Sequence, residues 1–229
     1  DLRSDGHEEY KAILGFIGPT IYHMMFKIVT FKSIIITCQE RLFTKRKSNI
    51  VFPSGLNSFW LDNIQKPLLD KPRLLYVGRI KVEKGIFSLL KIFDEVKVDA
   101  QLSIVGRTEG LKTNNKKVNL IGHRYDPAAL IKIYDNHNIF ILPSFTEAHP
   151  KVIDESLARM RPVIIFEEIQ HVIQYRKGIF VSKRNVKSLL ETIDFVMKNY
   201  TNIQESMTNN QLPTKQEFIS QMNNILSSN

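Results

Sequence analysis

"NIFILPSFTEAHPKVIDESLARMRPVIIF", residues 138–166, is the stretch whose reading decides the fold. An apolar run closes at Pro143–Ser144, a polar loop follows, and Val152, Ile153 and Leu157 then recur at helical spacing before a second apolar run opens after Pro162. Neither apolar run alternates with polar residues, which is how a strand reads when helices cover both of its faces. A strand, a helix and a strand in so short a span place the two strands parallel, joined by a crossover helix.

The same unit repeats on either side. Further strand-like runs are "RLLYVG" (73–78), "QLSIVG" (101–106), "VNLIG" (118–122) and "GIFVS" (178–182). Helix-period segments fall between and after them at 84–96, 126–137, 150–160 and 185–200, with Asp126 as a cap and Pro127 in the first turn. The link from 106 to 118, rich in Lys, Asn and Thr, has room for a clipped helix or none. The expected class is α/β, a doubly wound, Rossmann-like parallel sheet over residues 67–212. Residues 1–66 carry an apolar helical segment, the strand-like "SIIITC" (33–38), a short helix and then "SNIVFPSGL" (48–56), too little for a complete α/β domain. They read as the tail of a first domain, with a hinge near "DNIQKPLLDKP" (62–72) and a capped amphipathic helix at 213–226, within a C-terminal stretch 213–229 able to cross back to that domain. The opening "DLRSDGHEEY", without an initiator Met or a signal-peptide pattern, reads as the middle of a protein.

Composition narrows the chemistry. With 229 residues, 43% of them hydrophobic, the chain can bury one good-sized core and part of a second. Its single cysteine, Cys38, excludes an internal disulfide framework and a multi-cysteine zinc site, and fits a reducing, cytoplasmic location. Residues 1–70 hold nine of the 32 basic and seven of the 23 acidic side chains, so most of the +9 net charge falls later in the chain. That excess favours anionic partners: phosphates, nucleotides or an anionic lipid surface at the inner face of a membrane. The one dense basic run, "TKRKS" (44–48), lacks interleaved aromatics and reads as a solvated loop, so nucleic acid is not an expected partner. Gly18-Pro19, His23 and Lys27 interrupt the apolar stretch 12–31 before it reaches a bilayer's thickness, which makes it a buried or interfacial helix.

Ligands of a doubly wound sheet sit outside the carboxyl ends of its strands. The loop leaving "LLYVG" carries Arg79 and Lys84 to the start of a helix, and the loop leaving "FILPS" carries Glu147 to the start of another, with Glu155 in that helix's second turn. Two cations beside a helix N-terminus would hold a diphosphate without a metal. On spacing alone the same residues also read as turn-flanking charges, with Glu147 complementing a helix start and Glu155 pairing on the surface with Arg159 four residues on. His149 reads equally as a packed loop residue or a ligand contact. There is no GxGxxG, GxxxxGK[ST], HExxH, DxD or GxSxG pattern, so dinucleotide, P-loop, zinc and serine-nucleophile chemistry lack support.

"LLYVGRIKVEKGIFSLL", "LSIVG", "LIGH" and "IFILPSFTEAHPKVIDESLARMRPVI", in that order and spacing, resemble the C-terminal, donor-binding domain of the family 4 glycosyltransferases of the GT-B fold, and "SIIITCQERL" with "NIVFPSGLNSFW" resembles the end of their N-terminal domain. The resemblance implies a retaining glycosyltransferase of hexosyltransferase type, which moves a sugar from a nucleotide-sugar donor such as a UDP- or GDP-sugar to a glycan or lipid-linked acceptor in bacterial surface polysaccharide or glycolipid synthesis. It implies no cofactor and no metal. Arg79 and Lys84 match the cationic pair on the donor diphosphate, Glu147 the first glutamate near the sugar hydroxyls, and Glu155 the second, on the ribose. Lys151 and Val152 fall where backbone amides approach the phosphates. The implied donor-binding set is completed by Gly78 and His149, and the implied catalytic set is Glu147, Arg79 and Lys84. The chain departs from the family where Ala148-His149-Pro150 replaces Gly-Phe-Gly, Met160 replaces a glycine, and "EEIQHV" (167–172) replaces a Gly-Gly loop. Those departures keep open a degenerate nucleotide-sugar-binding module, and a GT-B sugar-nucleotide epimerase is the remaining alternative.

Overall fold

The computed structural model describes residues 10–11, 13–31, 33–38 and 49–227. The basic run 44–48, the opening residues 1–9 and the short helix expected between 38 and 48 lie outside the described residues. The chain divides into two compact units, one of Asp1–Ser54 with Pro213–Asn229 and the other of Gly55–Leu212.

In the smaller unit, helix α1 (Gly18–Thr30) starts with Pro19 in its first turn, and strands β1 (Ile36–Thr37) and β2 (Asn49–Ile50) pair in parallel. The helix expected from the 12–31 stretch therefore forms, but its apolar side chains are not buried: Met24, Ile28 and Val29 are 61%, 75% and 68% exposed. Strands of two residues make no sheet wide enough to cover such a face. Cys38 is buried, as a small hydrophobe is expected to be.

The larger unit opens with a short helix α2 (Ser58–Leu61) and then holds β3 (Arg73–Val77), α3 (Ile86–Asp94), β4 (Gln101–Val105), β5 (Val118–Leu120), α4 (Pro127–Asp135), β6 (Ile139–Leu142), α5 (Lys151–Ala158), β7 (Val163–Phe166), β8 (Ile179–Ser182), α6 (Val186–Lys198) and α7 (Tyr200–Met207). In the smaller unit the C-terminal helix α8 (Lys215–Ser227) follows. Thr214 and Glu217 cap α8 reciprocally, the Glu217 amide donating to Thr214 Oγ1 and the Thr214 amide to Glu217 Oε2. At α4, Asp126 accepts from the amides of Ala128 and Ala129, as its position before Pro127 predicts. The helix expected over 185–200 ends at Lys198, and a separate helix begins at Tyr200. No helix forms between 106 and 118.

All six strands β3–β8 run parallel in the order β5-β4-β3-β6-β7-β8, so every one of the expected runs is a strand of one sheet. Every residue of β6 and β7 is buried, whereas β5 and β8, at the two edges, are mostly half-exposed. The unbroken apolar runs of β6 and β7 are thus covered on both faces, as two-sided packing requires, whereas the equally apolar Ile179–Val181 of β8 lies at an edge. Leu89, Phe93, Tyr134 and Ile153 from the helices and Tyr76, Phe140 and Ile164 from the strands form one core.

Two buried arginines fasten the entry to this unit. Arg159 donates to the carbonyls of Trp60, Asp62 and Asn63 and to the carboxylate of Asp135, and Arg161 donates to the carbonyls of Gln65, Asp135 and His137. Residues 60–65, where the expected hinge begins, are thus bound along their backbone. Between the two arginines Met160 adopts φ 57°, the left-handed conformation that favours glycine, and its carbonyl accepts from Gln204.

Candidate functional site

The sheet grows from β3 through β4 to β5, and the chain then returns to place β6 on the other side of β3. The loops leaving β3 and β6 diverge above this switch point, which opens a crevice at the carboxyl edge. Gly85 brings the loops together elsewhere. It caps α3 at φ 67°, and a Cβ there would stand 1.8 Å from the Pro143 carbonyl oxygen, so only glycine allows the approach. The Phe145 amide donates to the Glu83 carbonyl at 3.0 Å and joins the loops through their backbones.

A 3₁₀ turn, Val82–Lys84, then aims Lys84 across the crevice. Its Nζ lies 2.6 Å from Glu147 Oε1, and Ser144 Oγ donates to the same oxygen at 2.7 Å. The two side chains are 18% and 11% exposed, so the pair is shielded from bulk water though not sealed from it. At the exit of β3, Tyr76 donates its hydroxyl to the Arg79 carbonyl at 2.7 Å and fixes the turn that presents Arg79. Burial raises the Tyr76 pKa above the ordinary phenol range, so this donor stays protonated.

These elements enclose a cavity of about 280 Å³. Gly78, Arg79, Lys84, Glu147, His149, Lys151 and Val152 line it, with Tyr76 and Pro150, so seven of the eight expected donor-binding positions meet in one place. Three cations and one carboxylate among these residues give the lining a positive balance. Helix α5 starts at its rim, with Pro150 as N-cap at φ −76° and ψ 107° rather than inside the first turn. As first and second residues of the helix, Lys151 and Val152 carry amides that its own ladder leaves unused. Such a rim binds anions through both amides and dipole.

Side chains outside the expected set hold His149 and the loop that carries it. The His149 ring, 2% exposed, donates from Nε2 to Asp154 Oδ2 at 2.9 Å, and Arg176 Nη1 donates to Asp154 Oδ1 at 2.6 Å. Arg176 and Asp154 are both almost fully buried. Removing one partner from such a pair costs about 3–5 kcal/mol, whereas an exposed pair such as Lys198–Asp194 contributes no more than about 0.5 kcal/mol. His171, from the 3₁₀ segment Glu167–Val172, donates Nε2 to the Glu147 carbonyl at 2.8 Å. Arg184 bridges Glu168 to the carbonyls of Pro143 and Ser144 and stacks over Phe145, 4.0 Å from the ring centroid. Asp154, His171, Arg176 and Arg184 carried no local signal, because each is read only against a partner brought near by the fold.

Glu155 stands apart from the cavity lining. Its carboxylate accepts from the Tyr134 hydroxyl at 3.0 Å, and burial pushes its pKa above the ordinary carboxylate range while that hydrogen bond opposes the shift. The surface pair with Arg159 does not form. Arg159 is 1% exposed and is taken up by Asp135 and three carbonyls, since helix α5 turns that face inward.

A larger hollow of about 450 Å³ lies near the amino ends of β4 and β5, lined by Asp94, Lys112, Asn115 and Lys117. Lys117 is spent on the carbonyls of Val96 and Val98, and Asn115 on Asp94, so size does not mark the functional crevice. Among the described residues no group of three or more His, Cys, Asp or Glu is placed to hold a metal ion, and no helix is long and apolar enough to cross a membrane.

The family described as "Glycosyl transferases group 1" matches residues 71–199, more than half of the chain. The chain belongs to the group 1 glycosyl transferases. Among its relatives is the capsular polysaccharide biosynthesis glycosyltransferase CapM of Staphylococcus aureus, 30% identical over 66% of this chain and 45% of that protein. The teichuronic acid biosynthesis glycosyltransferase TuaC of Bacillus subtilis, so described as putative, is 25% identical over 55% of this chain and 33% of its own length. The chain thus spans less than half the length of these two relatives. Among solved structures, the sucrose-phosphate synthase of Thermosynechococcus elongatus superposes with a TM-score of 0.71 at 18% identity, over 98% of this chain and 66% of that one. The HepE protein of Anabaena, solved with UDP and glucose, gives 0.67 at 13% identity over 86% of this chain and 63% of that one. The fold is the GT-B type α/β architecture expected.

Proposed function

We propose that this chain carries the nucleotide-sugar donor site of a retaining family 4 glycosyltransferase, which transfers a hexosyl group from a UDP- or GDP-sugar to a glycan or lipid-linked acceptor hydroxyl. The reading rests on the switch-point cavity, where Arg79, Lys84 and the start of α5 converge around Glu147. Charge builds on the departing nucleoside diphosphate as the glycosidic bond breaks, and prearranged cations and helix amides stabilise it without a metal. Arg79 and Lys84 take the diphosphate, the amides of Lys151 and Val152 approach it, Glu147 faces the sugar hydroxyls, and Glu155 binds the ribose. In this reading the donor domain expected at 67–212 lies in the larger unit, which also takes in residues 55–66, the rest of 1–66 is the end of an acceptor-side domain, and 213–229 is a segment that returns to it. The capsular and teichuronic acid names of the relatives support a role in bacterial surface polysaccharide or glycolipid synthesis, and the UDP and glucose in the HepE structure support a nucleotide-sugar donor; a place at the inner face of the membrane would follow from the chain's basic excess.

Isothermal titration of UDP, GDP and ADP into the 229-residue chain tests this. One nucleotide should bind, and Lys84→Ala should weaken it about tenfold, the loss of one charge-assisted contact. Binding of none, or an unchanged affinity in the variant, overturns the assignment. A binding module without turnover is a second reading, favoured by the loop in which Pro150 has no N–H and the His149 ring is taken up by Asp154. Transfer from the sugar nucleotide whose nucleotide binds, followed in a protein that joins this chain to a complete acceptor-side domain, separates the two.

A further inference from the structure

We infer that Tyr134 is a positioning residue for the nucleoside: its hydroxyl fixes the Glu155 carboxylate so that the second carboxylate oxygen meets the ribose hydroxyls. The chain thereby selects ribonucleotides over deoxyribonucleotides. This rests on the reading of Glu155 as the ribose ligand. Glu155 is half-buried and lies about one helical turn, ~5.4 Å, beyond Lys151 on the same face of α5. Side chains on a helix lean toward its N-terminus, which here is the cavity rim. A ribose joined through its 5′ oxygen to phosphates at that rim falls at the same depth.

Tyr134 is itself held firmly. Its ring is fully buried, edge-on to Trp60 at 5.5 Å and stacked on Phe140 at 5.6 Å, and its carbonyl accepts from Arg161. The hydroxyl donates to Glu155 Oε2 at 3.0 Å, with the Val152 carbonyl a poorer acceptor at 3.5 Å. Burial, reinforced by the adjacent carboxylate, holds the Tyr134 phenol well above its ordinary range, so the hydroxyl remains a donor. Glu155 Oε1 accepts no hydrogen bond from the described residues, yet it is not sealed from solvent. The charged neighbours of this carboxylate, Asp154 and Lys151, sit on α5 itself, so the bond to Tyr134 is what ties it to a second helix. Without the phenol the glutamate torsions are free, and each arriving ribose must order them. A tether at one oxygen removes that ordering from the binding step.

The test titrates the parent chain and Tyr134→Phe with the nucleoside diphosphate that the parent binds and with its 2′,3′-dideoxy counterpart, which lacks both ribose hydroxyls. The parent should bind the ribonucleotide about tenfold more tightly, the effect of hydrogen bonding to one carboxylate. Tyr134→Phe should weaken the ribonucleotide about threefold to tenfold, the cost of ordering one side chain, and leave the dideoxy nucleotide within about twofold. A merely structural role would weaken both alike. In a Glu155→Ala background the same substitution should change neither affinity by more than about twofold, because no carboxylate remains to be positioned. Equal weakening of both nucleotides, an unchanged or larger ribose preference in Tyr134→Phe, or a comparable weakening of the ribonucleotide in the Glu155→Ala background overturns the inference. Should Tyr134→Phe lose the parent's unfolding transition, it is combined with Glu155→Gln, which removes the buried charge and keeps an oxygen for the hydroxyl. The ribose preference should then fall below that of Glu155→Gln alone, and an equal preference overturns the inference. If the parent binds no nucleoside diphosphate, or binds it without ribose preference, the functional reading of these residues fails and this inference falls with it. If the parent prefers the ribonucleotide and Tyr134→Phe keeps that preference, this inference alone falls.

Discussion

Glu155 shows what a single side chain reveals locally and what it does not. Its type and spacing from Glu147 were legible, but its partner was not, since Tyr134 lies on another helix and Arg159 turns inward to Asp135. Burial raises the folded-state pKa of Glu155 above the ordinary value of 4.5, so the folded protein binds that proton more tightly than the unfolded chain does. The penalty is accordingly absent below pH 4.5 and fully present once pH exceeds the folded value. Glu155→Gln, which still accepts from Tyr134, should raise the melting temperature at pH 7. The gain should vanish as pH falls through 4.5, measured by circular dichroism across a pH series. A residue that lowers stability in this way is what a binding role would retain. No gain at pH 7 would show that the carboxylate is better satisfied than its burial implies. Met160 makes the companion point: at a position where the resemblance implies a glycine, this methionine takes the left-handed backbone that favours one.

At the level of elements, strands were readable from unbroken apolar runs and helices from their period and caps, because both signals arise within a few neighbouring residues. Loops were not. Pro150 reads as a first-turn residue and is an N-cap, and "EEIQHV", read only as a lost glycine loop, is a 3₁₀ segment whose His171 grips Glu147. Two elements approach closely at Gly85, where the N-cap of α3 faces the Pro143 carbonyl. Gly85→Ala meets both a left-handed backbone, worth about 1–2 kcal/mol against a side chain, and a Cβ contact of 1.8 Å that backbone must move to relieve. The variant should lose at least about 2 kcal/mol in urea denaturation and bind nucleotide more weakly, since Lys84 is the preceding residue. Retention of both stability and binding would mean that the two loops need not touch.

At the scale of the whole molecule, the larger unit contains its own core, its full six-stranded sheet and the arginines that fasten its first residues. A chain of residues 55–212 should therefore unfold in one cooperative transition and bind the same nucleoside diphosphate as the parent, by denaturation and titration. A non-cooperative melt, or loss of binding, would show that the site needs residues outside that unit. The sequence by itself determined the α/β class, the parallel strands and the residue types at the two strand exits, because hydrophobic period, caps and loop composition are local properties of the chain. Tertiary structure alone decided that β6 lies beside β3, that Lys84 meets Glu147 across 63 residues, and that Asp154 and Arg176 are a buried pair. Those outcomes depend on which distant segments pack together, and packing is settled by the whole core at once.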